Sequence, residues 1–288
     1  MLQLRFLIGV GDILKVMNSV AIIWWWDKAK WVYPLWRDGH RAAFELLGKT
    51  HQVDWFIGTD KEVPQGYDFY LLWDSSTSAF LPKLDELKGR KGLCLTTDLG
   101  LNLDNLRHFD VIFAEAPPVV EACRPSGVRV IKAFGTDTKF FKPLNVPKAF
   151  EAVYPATFSP WKRQNLFADK YGNKGLCIGT VQPDGEDIYN YCLNKGTAVV
   201  RGYLPAESSR VLFQLGNKVS ITGYEGSGRT VLEAMSADME VEVAEDNLKC
   251  QSYLQEFRES GLKSRDFILE NYSEEVFCKQ LLKGIENL

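Results

Sequence analysis

Residues 219–235 read VSITGYEGSGRTVLEAM, and this stretch constrains the fold more than any other part of the chain. An apolar β-type run enters a turn with glycines at 223, 226 and 228, and apolar residues at helical spacing follow. Backbone N–H groups at a helix start have no partner within the helix, and the helix dipole favours negative charge there. Glycine lets the backbone approach a ligand closely and adopt positive φ. The stretch therefore predicts a parallel α/β protein with an anion site at this turn, beside which Arg229 supplies a cationic fork suited to phosphate.

Two acids flank the turn, Glu225 within it and Glu233 in the predicted helix. Because helical side chains lean toward the N-terminus, Glu233 is expected to point back toward the turn. Carboxylates at both places could accept hydrogen bonds from vicinal hydroxyls while the glycine N–H groups bind phosphate. The pattern predicts a site for a nucleotide sugar.

The segment EGSGRTVLEAM resembles the donor-site motif of retaining glycosyltransferases of the GT-B fold, in the large family four (the group 1 type). The mark of that family is a pair of glutamates with seven residues between them, which Glu225 and Glu233 match. The resemblance covers about residues 109–288, and residues 17–108 match only in pattern. It implies an α/β chain with two Rossmann-like, doubly wound parallel-sheet domains that face a cleft, and a C-terminal helix that crosses back.

The resemblance also implies an activity, which is transfer of a sugar from a UDP- or GDP-sugar with retention and without a metal or other cofactor. Glu225 would hold the donor sugar and Glu233 the ribose hydroxyls. Lys162 and Arg163 match the place where a basic residue contacts the diphosphate, although two solvated charges at a helix start are the alternative. The implied catalytic residues are Glu225, Lys162 and Arg163, and the implied donor-binding residues are Gly226, Ser227, Gly228, Arg229, Thr230 and Glu233.

Strands alternate with helices in the first half of the chain, which predicts a parallel sheet. Asp38 is a natural N-cap for a helix over 38–49 and places the residues after it at a helix start that faces the expected cleft. The candidates for the acceptor side are Trp36, Asp38, Gly39 and His40. A structural role for His40, and a core or sugar-stacking role for Trp36, remain open at this point.

The segment AFGTDTKFFKP at 133–143 is similar to the one that ends the first domain in this family, which sets a boundary near residue 145. We expect a first, acceptor-side domain over 1–145, a donor domain over 146–262, and helices over 263–288 that pack back toward the first domain. Because 20–26 makes a better first strand than the residues before it, we interpret Met17 as a natural start and 1–16 as an extension.

Composition narrows the class of protein. The chain has 288 residues with a formal net charge of −3, so no global basic field indicates a nucleic-acid or membrane partner. Six scattered cysteines predict buried thiols, three histidines lack metal-ligand spacing, and no apolar run is long enough for a membrane span. We expect a cytoplasmic enzyme whose oligomeric state is open.

Other functions compete with this prediction. The acceptor is unidentified, and a glycan, a lipid-linked molecule or a modified nucleobase in DNA would each fit. A short first domain that had lost its acceptor site would leave a non-catalytic nucleotide-sugar-binding protein. An epimerase of nucleotide sugars would need acids or bases on both faces of the sugar, and the first domain offers no clear pair in its sequence.

Overall fold

A computed structural model describes residues 19–25, 32–35, 37–58, 62–73, 81–98 and 100–287, and the described chain forms two parallel sheets. The order in the first sheet is β2-β1-β3-β4-β5-β6, and the order in the second is β11-β10-β7-β8-β9. Every strand pairing in both sheets is parallel. These are two Rossmann-like domains, as the sequence predicts. Residues 1–17, Trp26, Trp31 and Trp36 lie outside the described residues, so their predicted roles stay predictions.

The first domain is built from short apolar strands with connecting helices. Its strands are β1 (Ser19–Trp24), β2 (Gln52–Ile57), β3 (Phe69–Trp73), β4 (Arg90–Leu95), β5 (Val111–Ala114) and β6 (Arg129–Lys132). Its α-helices are Gly39–Leu47, Leu81–Leu84, Leu103–Leu106 and Pro117–Cys123. Several strands are buried on both faces, which explains their continuous apolar sequences.

The second domain carries the glycine turn, residues 223–228. Its strands are β7 (Phe150–Pro155), β8 (Gly175–Gly179), β9 (Ala198–Arg201), β10 (Gly216–Ile221) and β11 (Glu240–Val243). Its helices are Gln164–Tyr171, Glu186–Asn194, Ala206–Phe213, Arg229–Ser236, Leu248–Ser260 and Ser264–Asn271. The strand order reverses direction between β7 and β10, and ligands bind doubly wound sheets beyond the carboxyl ends of the strands at such a point. The glycine turn follows β10 and therefore lies there.

The last helix, Glu274–Glu286, leaves the second domain and packs on the first. Phe277, Leu281 and Ile285 are fully buried in a core cluster that comes mainly from the first sheet and its helix Gly39–Leu47. The preceding helix behaves differently, because its Phe267 and Ile268 belong to the core of the second domain. Only the last helix thus makes the predicted crossing.

The segment between the two sheets, residues 133–149, contains the predicted boundary at 145. Its Asp137 carboxylate is buried, accepts a hydrogen bond from Phe140 N at 2.9 Å and pairs with Arg37 Nε at 2.6 Å. Phe140 and Phe141 are also buried, with their rings 5.0 Å apart. A buried cap and two packed rings fix this segment where it crosses between the domains.

All six cysteines are buried and unpaired, as predicted. Within the described ranges, no helix combines the length and the apolar character that crossing a membrane requires.

Candidate active site

The helix Arg229–Ser236 and the turn before it sit at the interface of the two domains. The helix begins one residue after Gly228, so Glu233 does point back toward the turn, with its Oε1 3.5 Å from Arg229 Nε. Arg229 also donates from Nη1 to Asp38 Oδ2 in the first domain at 3.2 Å. Asp38 caps its own helix by accepting from Arg41 N at 3.0 Å, as the sequence predicts.

The glycines of the turn serve close packing. None of Gly223, Gly226 and Gly228 is among the glycines with positive φ, which corrects the expectation of left-handed backbone here. A Cβ at Gly223 would lie 2.2 Å from the backbone of Lys162, and a Cβ at Gly228 would lie 2.2 Å from the Tyr253 ring. Gly226 faces open space. The first and last glycines therefore let the turn lie against its own domain.

A cavity of about 250 Å³ opens beside the helix, between the carboxyl ends of the second-domain strands and the first domain. Arg229, Thr230 and Glu233 line it from the helix. Its other walls come from strand ends and neighbouring segments, and include Arg37, Phe141, Thr157, Thr180, Gly202, Tyr203 and Phe213. Mixed apolar walls with a few polar groups are typical of small-molecule sites.

Most of these walls lie outside the site residues that the sequence singles out, which at this cavity are Arg229, Thr230 and Glu233. Thr157 follows β7 and Thr180 follows β8, and their hydroxyl oxygens lie 3.0 Å apart. Gly202 and Tyr203 follow β9, and Tyr203 is half exposed. The available signal was topological, since parallel strands in one sheet present their carboxyl ends at one edge.

Glu225 is placed differently from Glu233. Its carboxylate is buried, binds Lys162 Nζ through Oε2, and accepts from the Tyr154 hydroxyl at 3.1 Å through Oε1. Burial lowers the pKa of Lys162, and the Glu225 charge opposes that change. The two predicted catalytic groups thus neutralise each other under the turn, and neither lines the cavity. A direct role for either one in the reaction stays a prediction.

Arg163 is turned toward solvent. Its guanidinium makes two hydrogen bonds to the Asp246 carboxylate, at 2.7 and 2.8 Å. Its backbone has φ of +53°, which ends the short turn Pro160–Lys162 before the next helix begins. This placement agrees with the alternative in which Arg163 is a solvated charge at the start of a helix.

Two of the acceptor-side candidates, Gly39 and His40, pack against residues 133–149 and the last helix. The His40 ring is 3% exposed, stacks on Trp73 at 5.3 Å, and meets the Phe277 ring edge-on at 5.1 Å. Burial lowers its pKa to about 4, so the ring is neutral at pH 7. A Cβ at Gly39 would lie 1.8 Å from Gly135 O. This placement matches the structural alternative for His40, whereas Asp38 reaches the site through Arg229.

Glu115 is a buried acid that sequence analysis did not select. It directly follows β5, and its Oε1 accepts a hydrogen bond from Gly228 N in the other domain. Burial raises the pKa of this carboxyl group against the influence of Lys249. No signal in the sequence around Glu115 links it to a turn 113 residues away.

We expect Glu233 to make stability depend on pH. Burial raises its pKa from 4.5 to about 8, with Arg229 opposing and Asp38 adding to the rise. Between these values the folded protein keeps a proton that the unfolded chain has released, so this contribution is full below pH 4.5 and is lost as pH rises through about 8. Relative to Glu233→Gln, the wild-type free energy of unfolding should fall across that window by up to about 1.4 kcal/mol per pH unit.

Urea unfolding of both proteins at pH 5, 6, 7 and 8 measures this difference. Glu186→Gln is the control, because Glu186 is an exposed acid of the same domain paired with Arg201 at 2.6 Å. Parallel stability curves for wild type and Glu233→Gln would contradict the raised pKa.

Comparison with solved structures shows several proteins of similar fold. The chain is similar to AviGT4, a glycosyltransferase involved in avilamycin A biosynthesis, with a TM-score of 0.60, 13% identity and coverage of 94% of this chain and 98% of that one. For the DNA-modifying enzyme β-glucosyltransferase, described with and without its substrate uridine diphosphoglucose, the TM-score is 0.58 and the identity 11%, over 93% and 99% of the chains. For TarM the TM-score is 0.54 and the identity is 13%. That match covers 76% of this chain but only 55% of the length of TarM.

No family model matches the chain, and no curated protein sequence matches it. At identities of 11–13% the likeness concerns the fold. It confirms the predicted GT-B arrangement of two parallel-sheet domains.

Proposed function

We propose that this protein is a glycosyltransferase that moves a sugar from a nucleoside diphosphate sugar to an acceptor. One observation carries the proposal. Arg229, Thr230 and Glu233 come from one helix start and line a cavity at the carboxyl ends of the second-domain strands. A helix start with a guanidinium is suited to a diphosphate, and a carboxyl group beside it to ribose hydroxyls. The fold neighbours include a β-glucosyltransferase described with uridine diphosphoglucose, which supports the same class of donor.

In this proposal the donor occupies two regions. The nucleoside lies in the cavity of about 250 Å³, with its base against Tyr203, Phe213 and Phe141. Its ribose lies at Glu233. The diphosphate then lies at Arg229 and the glycine turn. The sugar lies beyond it, toward the first domain, from which an acceptor approaches.

We further propose that transfer proceeds with retention and without a divalent metal. Arg229 supplies a fixed charge for the leaving diphosphate, which develops negative charge as the glycosidic bond breaks. A front-face reaction, in which the donor phosphate takes the proton of the acceptor hydroxyl, then needs no separate general base. The anomeric configuration of the transferred sugar, read by NMR, tests retention, and full transfer in excess chelator tests metal independence.

Donor binding and hydrolysis test the activity before any acceptor is known. We expect UDP or GDP at about 100 times its Kd to stabilise the protein by about 2.7 kcal/mol, which raises Tm by roughly 5 °C. We also expect slow hydrolysis of the matching nucleotide sugar, because water can replace the acceptor. Glu233→Ala should lose most of the shift, while Glu186→Ala, a change at an exposed acid of the same domain, should keep it.

Three results separate the alternatives. A Tm shift without hydrolysis would indicate a nucleotide-sugar-binding protein. Release of the nucleoside diphosphate that rises on adding duplex DNA with a modified base, with the sugar recovered on the DNA, would point to DNA as the acceptor. A protein whose Tm responds to no nucleoside diphosphate would contradict the proposal.

A further inference from the structure

The N–H group of Gly228 is the natural anion-binding group of the glycine turn, and it is already occupied. Gly228 is the N-cap of the helix Arg229–Ser236, and no side chain within that helix caps it. Its N–H donates instead to Glu115 Oε1, on the other domain. A carboxylate of the first domain thus binds where a helix start attracts negative charge.

The second oxygen of this carboxyl group indicates a role other than stability. Glu115 is 0% exposed, and its Oε2 has no hydrogen-bond partner among the described residues. A buried polar atom without a partner costs free energy, so such an atom in a folded protein calls for a functional explanation. We therefore interpret the contact between Glu115 and the turn as one that a ligand replaces.

The surroundings are those of an anion site. Against the effect of burial, Lys249, the Ser227 side chain and Arg229 all act to lower the pKa of the Glu115 carboxyl group. Lys249 Nζ donates to the carbonyls of Thr96, at 2.7 Å, and of Gly226, which fixes its charge beside the turn. Cations and N–H groups that surround a carboxylate in this way suit a phosphate equally well.

We propose that Glu115 occupies the phosphate position of the glycine turn in the ligand-free protein, and that the diphosphate of a bound nucleotide displaces it. This inference rests on the proposed function, because it assigns the displacing anion to the donor. Glu115 and a phosphate oxygen cannot both accept from the single N–H of Gly228. The carboxylate must withdraw when the diphosphate enters.

Withdrawal of Glu115 breaks one contact between the two domains. Glu115 directly follows β5 of the first sheet, whereas Gly228 belongs to the second domain, so the entering ligand loosens the interface at this turn. Other contacts join the domains beside it. Tyr224 donates to Asp98 Oδ1 at 3.1 Å, and Lys249 holds the carbonyl of Thr96.

Isothermal titration of UDP and of inorganic pyrophosphate tests the displacement. Glu115→Gln keeps the shape and removes the charge, so the contact that the ligand must break becomes weaker. Since a hydrogen bond to a charged group is worth about 10- to 150-fold in an equilibrium constant, we expect Glu115→Gln to bind both ligands about tenfold more tightly than wild type. Glu115→Ala should shift affinity in the same direction.

Glu121→Gln is the matched control. Glu121 lies six residues further along the chain, in the helix Pro117–Cys123, is exposed, and pairs with Arg124 at 3.0 Å. Its substitution should leave both affinities unchanged. Equal or weaker binding by Glu115→Gln than by wild type overturns the displacement.

Hydrogen exchange of the ligand-free proteins provides a readout that needs no donor. Amides of the glycine turn should exchange at least about fivefold faster in Glu115→Gln than in Glu121→Gln, because the carboxylate protects the Gly228 amide. If neither ligand binds any of these proteins, the proposed function fails, and exchange alone decides whether Glu115 holds the turn. Unchanged exchange at the turn overturns that role.

Discussion

Glu225→Ala is expected to lower the free energy of unfolding by about 3–5 kcal/mol, because it leaves the buried Lys162 ammonium group without its counter-charge. Lys162 is 6% exposed and binds Glu225 Oε2 through Nζ. The Tyr154 hydroxyl, which donates to the same carboxylate at 3.1 Å, loses that contact but keeps the Lys162 carbonyl as an acceptor at 3.0 Å. Urea unfolding measures the loss. Lys162→Met should cost a similar amount, since it leaves the carboxylate unpaired instead.

The chain contains a matched control for this triad on its surface. Glu242 binds Lys170 Nζ and accepts from the hydroxyl of the buried Tyr171 at 2.9 Å, which repeats the lysine–glutamate–tyrosine arrangement with an ion pair that is open to solvent. Because exposed ion pairs are worth about 0–1 kcal/mol, Glu242→Ala should change stability little. The double variant Lys162→Met with Glu225→Gln should recover part of the loss that either change causes alone. Equal costs for Glu225→Ala and Glu242→Ala would show that burial of the pair contributes nothing.

Activity of the same variant addresses the sequence-based role of Glu225. If Glu225 also contacts the donor sugar, turnover of Glu225→Ala should fall by about 10- to 150-fold at a temperature where the variant is folded. If the carboxylate only supports the turn, Lys162→Met should lower turnover by the same factor as Glu225→Ala. Unchanged turnover in Glu225→Ala and Glu233→Ala would contradict the donor-site assignment.

Local signals explain what the sequence predicts well. Asp38 caps the helix Gly39–Leu47 because an N-cap is decided by a few neighbouring residues. The strands Phe69–Trp73 and Val111–Ala114 are short apolar runs that are buried throughout, so the local pattern alone identifies them as strands of a parallel sheet. By contrast, the helix Glu186–Asn194 gives a weak local signal, because most of its residues are exposed and Cys192 is its one buried residue.

Contacts between distant residues explain what the sequence could not supply. Glu225 and Glu233 look equivalent in the motif, but a lysine 63 residues away draws one of them under the turn. Glu115 reaches the glycine turn only because β5 of one sheet ends opposite Gly228 of the other domain. Identity and spacing of residues define which groups can bind a donor, whereas the packing of the two sheets decides which of them face it.

Arg229→Ala is expected to lower kcat/KM for sugar transfer, or for donor hydrolysis, by about 10- to 150-fold. Each charge-assisted hydrogen bond to the departing diphosphate is worth about 1.5–3 kcal/mol, and the bond is strongest as negative charge develops. Arg229 lines the cavity and is held by Asp38 at 3.2 Å and Glu233 at 3.5 Å, so its guanidinium is already positioned. Arg229→Lys should recover only part of the rate, because an ammonium group lacks the planar fork.

Arg163→Ala is the informative comparison, since the sequence assigned both arginines to the diphosphate. The Arg163 guanidinium is bound to Asp246 at the surface, so its removal should change kcat/KM by less than about threefold if it stays there during the reaction. Arg107→Ala, at an exposed arginine of the first domain paired with Asp104 at 3.2 Å, controls for loss of one positive charge. A larger effect at Arg163 than at Arg229 would place the diphosphate at Arg163 and not at the cavity. The roles proposed for Thr230 and Glu233 would then fall with that of Arg229, because all three line the cavity from one helix.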